Sequence, residues 1–255
     1  MNILIVKREL WESIPLLHVY NETMNEQTPV VVFFHGFMSA KEHNLHYAYQ
    51  LVQKGVRVIL PDALFHGERF VKLSELEMNV SFWKIVLNSV KELHTIYEQL
   101  KQKQLLASGK LGVAGTSMGG VVTTGSLAVY PWIQAAGVCM GTTSYTKFAQ
   151  HQVKEFAERG IQLPMTLEEQ QQLMQMLSPY NLDEKEHAWQ QCPIIFWHGQ
   201  RDTVVPYEMT RNFYEQHVHN NGALPIEYIS EPKAGHAVSR DGMIKVTAFL
   251  AQHLA

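Results

Sequence analysis

Cysteine is scarce in this chain: two residues in 255, Cys139 inside an apolar run and Cys192 just before Pro193. That usage fits a reducing cytosol and leaves no disulfide framework. Long apolar runs are missing as well. No stretch approaches the ~20 residues that cross a bilayer. The run Ile3-Leu4-Ile5-Val6 is too short for a signal peptide, and its charges follow it rather than precede it. A dominant charge sign is lacking too: 21 basic and 24 acidic residues are mixed along the chain, for a net charge of −3. Without a basic block or stripe there is no electrostatic footprint for nucleic acid. Neither an internal repeat nor a low-complexity linker interrupts the chain. The expectation is a soluble cytoplasmic protein with no nucleic-acid partner and no membrane span, a monomer or homodimer, large enough to bury a sizeable core.

What is present alternates. Short runs at 3–8, 14–20, 30–34, 56–62, 111–114, 135–140, 193–199 and 225–230 read as strands. The five residues Val30-Val-Val-Phe-Phe34 read as a strand buried on both faces. Helical spacing recurs over 40–54, closed by Gly55, over 74–103, after Ser117, over 206–218 and over 237–253. The first two strands suit an antiparallel edge. Strand and helix in alternation predict a doubly wound, mostly parallel eight-stranded sheet with helices on both faces, one α/β domain spanning 1–255. Residues 144–190 break the rhythm: they are rich in Gln and Glu with scattered Phe, Met and Leu. They are expected to form a small helical cap over the sheet.

One stretch organises the rest, Leu111-Gly-Val-Ala-Gly-Thr-Ser-Met-Gly119. An apolar strand, a glycine-flanked serine and a helix follow one another without a gap. That is the context of a nucleophile elbow, in which Ser117 is lifted above the sheet in a strained conformation. A Cβ at position 115 or 119 would collide with the neighbouring backbone. The helix behind the serine turns free N–H groups and a partial positive charge toward the same point.

A serine hydroxyl needs a base, and the base an orienting acid. In an open α/β sheet, functional groups gather beyond the carboxyl ends of the strands. The loop after 193–199 carries Asp202, and the loop after 225–230 carries His236. The order Ser117, Asp202, His236 is the one expected of an α/β-hydrolase. Glu231 and Asp183 are weaker alternatives for the acid, and His198 for the base. The pair His217 and His219 has no carboxylate at ligand spacing, so no metal is expected. Oxyanion donors would be the backbone N–H groups of Met118, after the serine, and Phe37, in His35-Gly36-Phe37 at the end of a central strand.

On these pieces, together with His198-Gly-Gln-Arg-Asp202, Val205-Pro206 and Gly235-His236, the chain resembles the α/β-hydrolase superfamily over nearly its whole length. Within it, the chain is most similar to small bacterial carboxylesterases near the dienelactone-hydrolase and prolyl-oligopeptidase branches. Pro61-Asp62 with Phe65-His66-Gly67-Glu68-Arg69 is similar to a loop that shapes the site in that superfamily. Serine replaces the elbow cysteine of dienelactone hydrolases, and the propeller of the oligopeptidases has no counterpart. The resemblance implies a serine hydrolase that cleaves carboxylic esters of small, short-chain acyl groups without a cofactor. Thioesters, monoacyl lipids, small amides or peptides are alternatives on the same residues, and a non-catalytic binding protein is a further one. Phe65, Phe148 and Met176 are candidates for substrate contact. Phe156, Leu163, Met165, Leu173, Met174, Leu177 and Trp189 of the 144–190 segment are further pocket candidates.

Overall fold

The computed structural model describes residues 3–185, 190, 192–218 and 225–255. Eight strands form one sheet in the order β1-β2-β4-β3-β5-β6-β7-β8. β1 (Leu4–Trp11) and β2 (Ile14–Asn21) form an antiparallel hairpin. β2 runs antiparallel to β4 (Arg57–Pro61). From there the sheet is parallel through β3 (Val30–Phe34), β5 (Leu111–Thr116), β6 (Ala135–Cys139), β7 (Ile194–Gly199) and β8 (Ile226–Glu231).

Two apolar cores lie on the two faces, and β3 shows how one sequence feeds both. Val30, Val32 and Phe34 pack into one core while Val31 and Phe33 pack into the other, as the period of two requires. The first core is covered by α3 (Phe82–Gln102) and α4 (Met118–Val129). α3 buries Phe82, Ile85, Val86, Ser89, Leu93, Ile96 and Leu100 at helical spacing. The second core is covered by α1 (Leu45–Gln53) and α8 (Arg240–Leu254). α2 (Glu75–Val80) is short and begins on a capping box, Ser74 with Glu77. α5 (Tyr145–Glu158) and α6 (Leu167–Leu177) occupy the segment between β6 and β7. α7 (Glu208–His217) precedes β8.

Helix starts lie a few residues later than the apolar spacing alone predicts, and local hydrogen bonds explain two of them. Pro206 stands in the turn ahead of α7, because the Asp202 side chain takes the Val204 and Val205 N–H groups and holds that turn open. α8 starts at 240 because Ser239 caps it, accepting the Gly242 N–H at 2.9 Å. Gly55, at φ +82°, closes α1 in the left-handed region.

The parallel register sets the ends of β3, β5, β7 and β8 along one edge, with Phe34 opposite Gly115 and Gly199 opposite Glu231. The loop after β4 is braced to the loop after β3 by an internal ion pair. Asp62 is fully buried and accepts the backbone N–H groups of Lys41 and Glu68 as well as the Lys41 ammonium. Burial works against the charged ammonium, but hydrogen bonds to Asp62, Glu68 and Glu42 outweigh it and push the Lys41 pKa up to about 12. Gly67 (φ +53°) approaches so closely that a Cβ there would overlap the Asp62 carboxylate.

Lys41→Met leaves the Asp62 carboxylate buried without its cation. It should cost about 3 kcal/mol in denaturant unfolding. Lys41→Met with Asp62→Asn should recover part of that loss, because the amide carries no buried charge and its oxygen still accepts the residue-41 N–H, although its NH2 takes the place of the acceptor for the Glu68 N–H. Equal losses in the single and double variants would refute the ion pair as the brace.

Candidate active site

Ser117 sits at φ +54°, ψ −116° between β5 and α4, a conformation that an L-residue holds only when its surroundings impose it. The surroundings are backbone. A Cβ on Gly115 would lie 2.4 Å from the Gly119 carbonyl carbon, and one on Gly119 would lie 2.1 Å from the Phe34 carbonyl oxygen. The two glycines therefore let β3, β5 and the start of α4 meet. The Ser117 N–H donates to the Cys139 carbonyl at 2.9 Å, which ties the turn to β6 as well.

Beyond the sheet edge, His236 and Asp202 reach this serine. His236 Nε2 lies 2.7 Å from Ser117 Oγ, and His236 Nδ1 lies 2.7 Å from Asp202 Oδ2. With Nδ1–H donating to the carboxylate, Nε2 is the acceptor for the serine hydroxyl. Asp202 Oδ1 accepts the Val204 and Val205 N–H groups at 2.9 and 3.0 Å. Oδ2 also lies 3.2 Å from His198 Nε2. Burial alone would raise the Asp202 pKa. The hydrogen bonds from His198 and His236, the nearby positive charge when His236 is protonated, and the Val204 N–H hold it well below the usual carboxylate range.

The rival residues are placed elsewhere. His198 is fully buried, with Nδ1 at 2.9 Å from Thr210 Oγ1 and Nε2 at 3.0 Å from the Val205 carbonyl. Glu231 accepts Trp197 Nε1–H and the Ser239 hydroxyl, and Asp183 pairs with Lys147. His219 and Trp189 lie outside the described residues.

The N–H of Met118 belongs to the first turn of α4, where no intrahelical acceptor exists. The loop that carries Phe37 is held by two histidines that act as acceptors. His35 Nδ1–H donates to the Gly36 carbonyl at 2.8 Å while Nε2 accepts the Ala63 N–H at 3.0 Å. His66 Nδ1–H donates to the Leu64 carbonyl at 2.8 Å while Nε2 accepts the Met38 N–H at 3.0 Å. Met38 and Phe65 are themselves at positive φ. Burial lowers the pKa of both rings, that of His35 to about 4. Sequence reading placed His66 only within a loop that shapes the site. The residue that it holds lies 28 positions away, and no local pattern reports such a contact.

A cavity of about 140 Å³ opens on Ser117 and Met118, walled by Phe37, Phe82, Val121, Phe148, Phe156 and Val205 among others. Phe148, singled out from the sequence, is therefore beside the serine. Phe65 lines a neighbouring cavity instead. Met176 lines neither and is 56% exposed, because α6 turns Leu173, Met174 and Leu177 toward the core. Leu163 lines a separate pocket with Val153 and Ala157 of α5. Asn79 and Gln152, which no motif marked, also face the serine cavity.

Comparison with known proteins finds relatives along nearly the whole chain. Residues 84–255 match the family model described as the prolyl oligopeptidase family. YitV of Bacillus subtilis (strain 168), provisionally named an esterase, is 38% identical over 252 residues, 98% of this chain and 99% of its own. Esterase YjfP of Escherichia coli (strain K12) is 30% identical over 255 residues, with 98% and 99% covered. Among solved structures, TT1662 from Thermus thermophilus superposes with a TM-score of 0.76 at 20% identity, covering 99% of this chain and 98% of its own. The Pyrococcus furiosus esterase Pf2001 superposes with a TM-score of 0.63 at 20% identity, covering 100% and 93%.

The buried histidines make the loop that carries Phe37 acid-sensitive. His35 binds its proton in the unfolded chain near pH 6.5 but in the fold only near pH 4. Its contribution is thus present above pH 6.5 and is lost as pH falls through that window. His35→Gln, which keeps an acceptor for Ala63 but cannot titrate, should reduce the stability lost between pH 7 and 4.5 by roughly 2 kcal/mol. Urea unfolding at the two pH values reads this directly, and an unchanged loss in the variant would remove His35 from the account.

Proposed function

We propose a mechanism from one premise: the chain belongs to the prolyl oligopeptidase family and is an α/β-hydrolase of the serine esterase type. In this reading Ser117, His236 and Asp202 are its catalytic triad, and it cleaves small carboxylic esters through an acyl-enzyme. The observation that carries the assignment is the unbroken chain of hydrogen bonds from Asp202 through His236 to Ser117, both 2.7 Å long, ending on a serine held at positive φ.

In the first step His236 Nε2 takes the hydroxyl proton as Ser117 Oγ attacks the ester carbonyl. The Asp202 carboxylate keeps the imidazole in the right tautomer and stabilises its charged form. The carbonyl oxygen gains negative charge and is received by the backbone N–H groups of Phe37 and Met118. His236 then gives its proton to the alkoxide oxygen, and the alcohol leaves. Water, deprotonated by His236, attacks the acyl-enzyme, the carboxylic acid departs and Ser117 regains its proton. Apart from the attacking water, the cycle uses only side chains and backbone.

Helices α5 and α6 act as a small cap in this mechanism. α5 brings Phe148, Gln152 and Phe156 over the serine, which keeps the acyl group dry and limits its length. The limited space supports esters of short acids over peptides, which need room on both sides of the scissile bond. The two free, buried thiols suit the cytoplasm.

Ser117→Ala should abolish hydrolysis of p-nitrophenyl acetate and butyrate while the thermal midpoint stays within a few degrees of wild type. Asp202→Asn should lower kcat by about 10⁴, since a neutral amide favours the wrong imidazole tautomer. Undiminished turnover in either variant would exclude the triad. In the wild type, kcat/KM across p-nitrophenyl esters should peak at short acyl chains; a peak at long chains would move the substrate to acyl lipids.

A further inference from the structure

We propose that the cavity next to the serine pocket binds the alcohol arm of the ester, and that this arm is apolar and carries no negative charge. The inference rests on the esterase reading and adds the substrate class.

The second cavity encloses about 600 Å³ against Phe37, Phe65, Phe70, Val71, Leu73 and Met78. It adjoins the serine pocket: Phe37 and Asn79 line both. The Phe37 ring stands as the partition, edge-on to Phe82 at 5.5 Å on the serine side and to His66 at 5.6 Å on the other. Asn79 is fixed at the rim by its amide N–H, which donates to the Glu75 carbonyl at 2.9 Å. A substrate whose carbonyl sits at Ser117 can therefore place one arm in each cavity.

Size and enclosure decide which arm goes where. A cavity of about 150 Å³ holds a molecule the size of benzene, so the serine pocket, at about 140 Å³, takes roughly six heavy atoms. Its walls include the buried Met118, Phe148 and Val205. The second cavity falls in the range of sites for much larger ligands, and its mouth is open, with Phe70 72% and Met38 71% exposed. The acyl group stays bonded to Ser117 after the alcohol has gone, and the enclosed pocket suits it. The alcohol must leave while the acyl-enzyme persists, and the more open cavity gives it a way out.

Charge narrows the class. Glu75 is the one formally charged residue lining the second cavity among the described residues. Two cations stand nearby without lining it: Lys84, over the Phe65 ring at 5.3 Å, and Lys72, between the lining residues Val71 and Leu73. An alcohol arm bearing a carboxylate or phosphate would meet Glu75 with no cation on the wall, whereas an alkyl or aryl arm would bury apolar surface.

Two ester series separate the arms. Acetates of methanol, butan-1-ol and octan-1-ol lengthen the alcohol; methyl esters of acetic, butyric and octanoic acids lengthen the acid. For wild type, kcat/KM should rise by roughly fourfold per methylene that enters the second cavity along the first series. It should fall along the second series once the acid exceeds about six carbons. Val71→Glu, or Phe70→Ala at an even more exposed position, should cut the octyl-to-methyl ratio by about tenfold or more. A rising acid series with a flat alcohol series overturns the proposal. So does a Val71→Glu variant that changes only the association state and leaves the ratio intact. Binding is measured separately by calorimetry on Ser117→Ala: octan-1-ol should bind, octanoate should bind at least about tenfold more weakly, and Val71→Glu on that background should abolish both signals. No octan-1-ol binding overturns the proposal whatever the esterase activity. If wild type cleaves none of the esters, the triad reading falls, and the calorimetry still decides the cavity.

Discussion

The structure around Ser117 depends on one close approach: the backbones of β3, β5 and α4 touch where a side chain would not fit. Gly119 lies against the Phe34 carbonyl and Gly115 against Gly119. This contact forces Ser117 to positive φ, aims the first turn of α4 at its hydroxyl and brings the loop after β3 alongside. Gly36 lies beside this contact without being pinched by it, since a Cβ there would meet Ser117 Cβ at an ordinary 3.5 Å. Strain of about 1–3 kcal/mol at such a residue persists only where packing over-determines it. Here the packing comes from two fully buried cores, one on each side of the sheet.

The second constraint is the chain of supports behind the Phe37 loop. The ten residues between β3 and α1 take much of their support from outside themselves. Here His35 and His66 accept backbone N–H groups from Ala63 and Met38, and Lys41 pairs with Asp62. The loops after β3 and β4 thus form one unit. Glu68 extends it by pairing with both Lys41 and Arg8. The outer members of this network are exposed and contribute little. The inner pair is dry, and its work is positional: it holds the backbone from which Phe37 projects.

Much of this was legible in the sequence because the signals are local. Val30–Phe34 is apolar at every position, and only a strand buried on both faces reads that way. The elbow declares itself within nine residues. Asp202 and His236 followed from the rule that functional loops gather at strand ends, and the chain brings both to Ser117. The register of the parallel sheet made that rule work, because it aligns the ends of β5, β7 and β8. What stayed hidden is non-local. Lys41 reads as an ordinary surface cation, and its buried partner stands 21 positions away. Asn79 and Gln152 carry no motif, and they come to the serine because α2 and α5 fold over the same edge. Met176 was marked by its chemistry within a Met- and Leu-rich run. Which face of α6 turns inward is a tertiary fact, and it put Leu177 inside and Met176 in solvent.

Asp202 faces two histidines, and the difference between them explains which one can serve as a base under the proposed mechanism. His198 has both ring nitrogens committed to fixed partners, Thr210 on one side and Val205 with Asp202 on the other. His236 commits only Nδ1; its Nε2 meets the serine, and its side chain keeps 22% of its surface open. That nitrogen can change partners from the serine to a leaving alcohol to a water without disturbing the fold. The change is useful only if the carboxylate behind it does not move. His198 with the Val204 and Val205 N–H groups supplies that immobility, holding Asp202 from three directions while His236 turns over its proton. One buried histidine gives up its chemistry so that the other can have a fixed counter-charge.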